Sequence, residues 1–344
     1  MIASTRRALL GAAVGATSLA LPGPWVGPAR AAGTMSAAVY PGGWDEALRA
    51  VLVPALRQQY QVEVAFEPLF AVDQIAKARA ARGTAPFDVF VLDPGPRVTG
   101  IEMGLFEPFD PSRLQNRGKL PAGFADQYGA GVAAQVVGIA YNPKKVPKPS
   151  GWKDLFKPEY ASQLGLTGFG TTFGTVSLIE MAKAVGGSET NIEPLFTELR
   201  KVLPQVAAVA APAAMPGLFQ QGQIAVMYTN TYTVSLLKSR GVDIEFALPD
   251  TGGVAFGTTM HIAKGAKNVE QAYRYIDTMI STPVQQGLSA EPYYFVPVNT
   301  EVTPGAGVPM RSIADLSSFV THDWAVINPQ RARWIDQFNR EMAK

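Results

Sequence analysis

The carboxylate of Asp93 is the first group in this chain whose type and position favour ligand binding. Asp93 directly follows the apolar run Val-Phe-Val-Leu at residues 89–92, within Asp-Pro-Gly-Pro. If that run is a buried strand, the carboxylate lies at its carboxyl end, where α/β proteins bind ligands and where it could pair with an ammonium group. The alternative is an Asx turn, which an aspartate before Pro-Gly favours.

A glycine- and threonine-rich segment offers the complementary chemistry. Residues 168–174 read Gly-Phe-Gly-Thr-Thr-Phe-Gly and lie between a predicted strand and a predicted helix. Glycine lets the backbone approach a ligand closely, and the free N–H groups at a helix N-terminus favour an anion. Gly170, Thr171 and Thr172 are therefore candidate binding residues, and the alternative is a simple threonine N-cap. Phe173 occupies the third glycine position of the dinucleotide fingerprint, so the segment is not that motif.

The rest of the composition excludes several kinds of chemistry. The chain has no cysteine, which excludes disulfides, thiolate nucleophiles and cysteine metal sites. Its two histidines, His261 and His322, cannot form a histidine-rich zinc site, and a catalytic triad could use only one of them. There is no Gly-x-Ser-x-Gly nucleophile motif. We therefore predict a binding protein that is not an enzyme and that has no catalytic residues, no metal and no cofactor.

The first 32 residues are predicted to be a signal peptide. Arg6 and Arg7 precede a short, weakly apolar run, and the small-residue motif at 29–31 places cleavage near Ala31/Ala32. The paired arginines resemble a twin-arginine signal, with general secretion as the alternative. Cleavage would remove three arginines and no acid, which changes the net charge from +2 to −1. A nearly neutral mature chain argues against a nucleic-acid partner.

Segments with strand-like and helix-like patterns alternate along the remaining chain. Apolar residues recur at helical spacing in some segments, and others are continuous β-rich runs. This alternation predicts an α/β fold. Asn328-Pro329 is expected to precede a final amphipathic helix. The predicted strands include residues 62–67, 88–92, 132–141 and 164–167, and the predicted helices include residues 44–60, 71–82, 172–185 and 193–202.

Seven short strings, taken in order, resemble one known family. The chain is similar to the periplasmic polyamine-binding receptors of ABC transporters, the spermidine/putrescine-binding-like family of the type II solute-binding superfamily. Each string alone is weak, but their order over nearly the whole mature chain is informative. They are Phe-Asp-Val-Phe-Val at 87–91, Gly-Ile-Ala-Tyr-Asn-Pro at 138–143, Trp-Lys-Asp-Leu-Phe-Lys-Pro-Glu-Tyr at 152–160, Gly-Gln-Ile-Ala-Val-Met-Tyr at 222–228, Pro-Asp-Thr-Gly-Gly at 249–253, Met-His-Ile-Ala-Lys-Gly-Ala-Lys-Asn at 260–268, and the run at 293–299.

This resemblance implies a two-lobe periplasmic-binding-protein-like type II fold with the ligand cleft between the lobes. Residues 33–140 plus 258–344 would form the first lobe and residues 141–257 the second. Lobe closure would capture a small-molecule ligand. The protein would then be a periplasmic monomer that delivers its ligand to a cognate ABC permease in the inner membrane. A periplasmic enzyme on the same fold, or a receptor that presents its ligand to a sensor protein, are the alternatives.

The resemblance also implies further ligand-binding residues. The family places aromatic side chains, which contact alkyl chains and attract cations, after the first strand and at the second hinge. Ordinary helix packing is the alternative for the first two positions. The implied residues are Tyr40, Trp44, Tyr228, Asn230, Tyr232, Phe256, Thr258, Tyr293 and Tyr294, of which the last two are expected to supply at most one contact.

The chain departs from the family where the polyamine receptors carry acids. Gly168, Phe169, Gly170 and Thr171 stand where the polyamine receptors carry acidic residues, and Thr258 replaces an aspartate. Only Asp93 and Glu291 remain as candidate anchors for a cation. Because each buried ammonium group needs a partner, an ordinary polyamine is not expected. The solute is predicted to be an amine, a zwitterion or a small organic anion.

Overall fold

The computed structural model describes residues 33–342, so the predicted signal peptide lies outside the described residues. In this part of the chain no helix combines the length and apolarity that a membrane crossing requires.

Strands and helices alternate through most of the described residues. The ten strands are β1 (Gly33–Val39), β2 (Val62–Pro68), β3 (Val89–Leu92), β4 (Ala125–Asp126), β5 (Gly129–Tyr141), β6 (Leu164–Leu166), β7 (Ala208–Val209), β8 (Val226–Asn230), β9 (Glu245–Ala247) and β10 (Val254–Ile262) within residues 33–342. The α-helices in the same range are α1 (Gly43–Ala47), α2 (Val53–Tyr60), α3 (Ala71–Ala80), α4 (Pro94–Glu102), α5 (Pro158–Ala161), α6 (Thr172–Ala184), α7 (Glu193–Val202), α8 (Met215–Gln220), α9 (Thr231–Ser239), α10 (Val269–Met279), α11 (Thr282–Ser289) and α12 (Trp324–Met342). A π-helical segment, Leu48–Leu52, joins α1 to α2.

The sheet brings two sets of parallel strands to the middle of β5 from opposite directions. Its order is β2-β1-β3-β10-β5-β8-β6-β7, with β4 and β9 also paired to β5. β3 ends at Leu92, which is opposite Thr259, and Thr259 is in turn opposite Gly131 of β5. β8 ends at Asn230, which is opposite Val137 of β5. The carboxyl ends of both sets therefore converge near Gly131 and Val137, and this is where a ligand site is expected.

The buried apolar side chains form separate clusters on the two sides of this junction. One cluster contains β1, β3, α10 and α11 residues, and a second contains β6, α6 and α7 residues. A smaller third cluster lies around α8 and α9. The lobe boundaries inferred from the family resemblance stay a prediction. Four buried residues of α12 belong to the second cluster, namely Trp324, Ile327, Trp334 and Phe338.

The last helix begins earlier than the sequence pattern indicates. Pro329 lies inside α12, although a proline was expected to precede the helix. A proline inside a helix removes one backbone hydrogen bond. Here the first turn is anchored by tertiary packing, because Trp324 and Ile327 are buried. The ring of Trp324 lies so near α4 that a Cβ on Gly95 would come within 2.4 Å of it.

His261 on β10 makes the stability of this fold depend on pH. Its Nδ1 donates to the carbonyl of Tyr128 at 2.8 Å, and its Nε2 lies 2.7 Å from the hydroxyl of Thr259. Burial lowers the pKa of His261 to about 3. An unfolded histidine has a pKa of about 6.5, so between these values the unfolded chain binds the extra proton. The contribution of His261 to stability is therefore present above pH 6.5 and is lost as the pH falls.

We expect the variant His261→Gln to have a weaker acid dependence than the wild type. The free energy of unfolding is measured by urea titration at pH 6 and at pH 5. Its decrease between these two pH values should be smaller in the variant than in the wild type by about 1 kcal/mol. A residual slope should persist, because burial also lowers the pKa of His322, to about 4. Identical slopes in the two proteins would contradict this assignment.

Candidate functional site

A small cavity lies where the carboxyl ends of the two strand sets converge. Its volume is about 30 Å³, which by the usual criterion of about 10–15 Å³ per water is room for about two water molecules. Seven residues predicted from the sequence line it: Tyr40, Asp93, Gly170, Thr171, Thr172, Asn230 and Tyr232. The other lining residues are Phe70, Ala71, Val72, Pro96, Gln135 and Phe173.

Asp93 is the centre of a buried hydrogen-bond network. The hydroxyl of Tyr40 donates to its Oδ1 at 2.8 Å, and the hydroxyl of Thr258 donates to the same oxygen at 3.1 Å. The amide Nε2 of Gln135 is also 3.1 Å from Oδ1. Asp93 immediately precedes α4, but its side chain does not cap that helix. The Asx-turn alternative therefore does not describe its contacts. The carboxylate accepts hydrogen bonds from residues that are distant in sequence instead of from its own turn.

Gln135 continues the network across the junction to β8. Its Oε1 accepts a hydrogen bond from Nδ2 of Asn230 at 2.9 Å. Oδ1 of Asn230 in turn accepts from the hydroxyl and backbone N–H of Thr233 at 2.6 and 3.2 Å, which caps α9. The sequence analysis missed Gln135. The signal that could have found it is one amide side chain in the middle of the otherwise apolar and small run of β5.

Two opposite charges are buried at this junction. Burial raises the pKa of Asp93, while the hydroxyl groups of Tyr40, Thr172 and Thr258 and the charge of Arg331 oppose that rise. Burial lowers the pKa of Arg331 to about 10, and the charge of Asp93 opposes that fall. Arg331 therefore stays charged at neutral pH. It belongs to α12 and was not predicted as a site residue.

Arg331 also supports the glycine-rich loop. Its Nε donates to the carbonyl oxygen of Phe169 at 2.9 Å. Its Nη2 is buried and has no hydrogen-bond partner within residues 33–342. The ring of Phe169 packs on Trp334 at 5.6 Å and on Phe338 at 6.1 Å between centroids. The loop is thus held from behind by α12, and its open side faces the cavity.

The loop ends in a capped helix N-terminus. The hydroxyl of Thr171 accepts from the backbone N–H of Gly174 at 3.2 Å, as the N-cap alternative requires. Gly170 and Thr172 line the same cavity as Thr171. The hydroxyl of Thr172 acts on Asp93 electrostatically, but it is buried and makes no hydrogen bond of ordinary geometry to the described residues. A cap and a ligand-facing surface therefore coexist in this loop.

The other predicted residues lie around the cavity without lining it. Trp44 is buried behind it, with ring centroids 5.2 Å from Tyr40 and 6.4 Å from Tyr232. Thr258 contributes through its bond to Asp93. The hydroxyl of Tyr228 bonds to the backbone of Thr167.

Phe256 and the tyrosine pair lie apart from the cavity lining. Phe256 packs in the second cluster, and Tyr293 packs against the first. Tyr294 adopts a positive φ of 47°. The side chains of Glu291, Tyr293 and Tyr294 are absent from the cavity lining. Within the described residues no group of three or more His, Cys, Asp or Glu side chains could hold a metal ion.

Comparison with known proteins identifies the family and the fold of this chain. Residues 52–314 match the family described as bacterial extracellular solute-binding protein. A spermidine/putrescine-binding periplasmic protein of Escherichia coli is 29% identical over 182 residues, which are 52% of this chain and 49% of that protein. A putrescine/cadaverine-binding protein of Pseudomonas aeruginosa is 23% identical over 277 residues, covering 72% and 75% of the two chains. The chain thus matches about half the length of the first of these relatives.

Solved structures share the fold at lower identity. An ABC transporter substrate-binding protein from Bradyrhizobium japonicum superposes with a TM-score of 0.73 at 18% identity, covering 90% of this chain and 99% of that one. The periplasmic binding protein AfuA of Actinobacillus pleuropneumoniae, with fructose-6-phosphate bound, gives a TM-score of 0.72 at 17% identity and the same coverage. The α/β architecture is that of periplasmic binding proteins. Because the family match spans most of its length, this chain belongs to the bacterial extracellular solute-binding protein family.

Proposed function

We propose that this protein is the extracytoplasmic substrate-binding component of an ABC importer. It captures a small organic solute (an amine, a zwitterion or a small organic anion) between two lobes and delivers it to a permease. The observation that carries this proposal is the cavity at the convergence of the two strand sets, lined by Asp93 from one set and by the Gly170–Thr172 segment from the other. Family membership supports it, as does the similarity to a periplasmic binding protein and to an ABC transporter substrate-binding protein.

The size of the cavity supports a mechanism of opening and closing. At about 30 Å³ the cavity is too small for an organic solute to enter as it stands. Solute therefore binds to a form in which the lobes are apart, and the contacts made on both sides favour the closed form. Gln135 and Asn230 join the two sides through one hydrogen bond, which a solute could replace or reinforce. The lobes are residues 33–140 plus 258–344 and residues 141–257.

The described residues that line the cavity offer groups suited to binding a solute. The residues lining the cavity include hydroxyls, amides and one carboxylate, with no cysteine or histidine among them. We propose a periplasmic monomer whose signal peptide is cleaved near Ala31/Ala32. Solute extracted from the native protein and analysed by mass spectrometry should be chemically unchanged after incubation with fresh protein. A product of altered mass that accumulates with time would instead support an enzyme.

Thermal-shift screening with the purified mature protein tests whether it is a solute receptor. A solute that binds only the folded state raises the unfolding midpoint in a concentration-dependent way. We expect saturable stabilisation by at least one small amine, zwitterion or organic anion, confirmed by calorimetry. If a broad library that also contains sugars, phosphates and peptides produces no shift in a folded sample, the receptor proposal fails.

Gly170→Ala is expected to weaken solute binding about tenfold while leaving the fold intact. A Cβ at Gly170 meets nothing within 4 Å and its φ is not positive, so an alanine fits the unliganded protein. The added methyl nevertheless projects into space that the solute must use, and overpacking of this kind costs about 1–3 kcal/mol. Calorimetry with the solute from the screen measures the change.

Gly118→Ala is the matched control for this substitution. A Cβ there also meets nothing within 4 Å, and Gly118 does not line the cavity. It should bind solute as the wild type does. Equal affinities in Gly170→Ala and Gly118→Ala would place the solute elsewhere.

A further inference from the structure

We infer that the solute is a short zwitterion, with its ammonium group at Asp93 and its carboxylate at the N-terminus of α6. This inference rests on the proposed function and names the chemical class of its solute. It selects one of the three classes that the sequence leaves open. Three observations carry it: the buried charges of Asp93 and Arg331, an unpaired hydroxyl at the helix terminus, and the short separation of Asp93 and Thr172.

The buried charges at the cavity already cancel. Asp93 is the single charged residue in the cavity lining. Arg331, also buried, donates to the loop carbonyl of Phe169. A monoamine would leave this closed site with one uncompensated positive charge, a diamine with two, and a simple carboxylate with one negative charge. An uncompensated buried charge is strongly unfavourable, and a zwitterion adds no net charge.

The N-terminus of α6 provides the site for the carboxylate. Thr171 satisfies the N–H of Gly174, but the first amides of a helix have no partner inside the helix. The hydroxyl of Thr172, a residue that lines the cavity and is 2% exposed, has no hydrogen bond of ordinary geometry within the described residues. Buried hydroxyls without partners are uncommon in folded proteins, so this one indicates a missing acceptor or donor. A carboxylate there would also interact favourably with the dipole of the 13-residue helix.

The part of the cavity around Asp93 suits an ammonium group. Three donors hold Oδ1 of Asp93 in place, which fixes the orientation of the carboxylate before a solute arrives. The aromatic side chains of Tyr40, Tyr232 and Phe70 line the same space. Aromatic rings attract cations, so these side chains strengthen the attraction of Asp93 for an ammonium group and do not favour an anion.

The distance between the two poles is short. Thr172 is near enough to Asp93 to lower the pKa of that carboxyl. Both residues line the same small cavity. A solute with its ammonium and carboxylate groups separated by one to three carbon atoms fits this spacing better than a long-chain one.

Calorimetry with matched solutes tests the inference. The probes are glycine, β-alanine, γ-aminobutyrate and glycine betaine as zwitterions, propylamine as the cation, propionate as the anion, and putrescine as the diamine. We expect one of the zwitterions to bind at least tenfold more tightly than propylamine, propionate and putrescine. Equal or tighter binding of one of those three, or of a sugar or phosphate, would overturn the zwitterion inference while leaving the receptor function intact. No saturable binding by any solute would count against both.

Charge-altering variants give a second, independent readout. Asp93→Asn should shift the ratio of affinities toward propionate by about 100-fold or more relative to the best zwitterion, because the zwitterion loses its ammonium partner and the site then carries one positive charge. Arg331→Gln should shift it toward propylamine. If Arg331→Gln does not fold, the Asp93→Asn ratio alone decides. A ratio that is unchanged in Asp93→Asn would overturn the assigned orientation.

Discussion

Asp93→Asn is expected to weaken binding of an ammonium-bearing solute about 100-fold. Truncating one partner of a buried, hydrogen-bonded charge pair costs about 2–5 kcal/mol, and 100-fold corresponds to about 3 kcal/mol. The asparagine oxygen can still accept from Tyr40 and Thr258, so the network keeps its shape. The variant leaves the charge of the buried Arg331 without the carboxylate that offsets it, so the unfolding midpoint of the unliganded variant should fall below that of the wild type at pH 7.

Asp336→Asn provides a control for the loss of one negative charge. Asp336 is exposed on α12 and does not line the cavity. Calorimetry at fixed ionic strength should give wild-type affinity for this variant. The assignment of Asp93 as the cation anchor is wrong if Asp93→Asn binds the solute as tightly as Asp336→Asn does.

Trp334→Ala is expected to lower the free energy of unfolding by about 4 kcal/mol. Trp334 is fully buried and packs on Phe169 in the second cluster. Removing a large aromatic side chain from a core costs about 3–5 kcal/mol, through lost burial and the cavity left behind. Because Phe169 belongs to the loop that carries Gly170, solute binding should weaken as well. Urea unfolding and calorimetry measure the two effects.

Trp334→Phe separates packing from the polar part of the indole. The Nε1 of Trp334 has no hydrogen-bond partner among the described residues, so its removal forfeits no hydrogen bond. The smaller ring should retain more than half of the stability lost in Trp334→Ala. A loss below about 1 kcal/mol in Trp334→Ala, less than is usual for any large core truncation, would show that α12 is not an integral part of this core.

The secondary structure followed closely from local patterns. The helical spacing at 193–202 coincides with α7, and the run at 164–167 differs from β6 by one residue. Such patterns record which face of an element is buried, which is a local property. The exception is Pro329, where local propensity favoured a helix start after the proline. Packing of Trp324 against α4 outweighs that preference and extends α12 by a turn toward its N-terminus.

The neighbourhood of the site was also predictable in part. Asp93 and the loop at 168–174 could be placed at the carboxyl ends of strands, and those ends are brought together by the sheet. Tyr228 shows the limit of this reasoning. It lies two residues before Asn230 on β8, about 7 Å further from the strand end. At that depth its hydroxyl meets the backbone of Thr167 instead of the cavity.

The sequence by itself determined the class of fold, the chemical types at two strand ends and the absence of thiol chemistry. Only the tertiary structure showed that Gln135, Thr258 and Arg331 act on Asp93, because they are 42, 165 and 238 positions from it along the chain. No local pattern encodes such a distance, since it depends on how the sheet and α12 close around the junction. For the same reason, the charge that offsets Asp93 was invisible in the sequence. Taken alone, Asp93 suggested a site for a cation, and the charge of the buried Arg331 opposes that of Asp93.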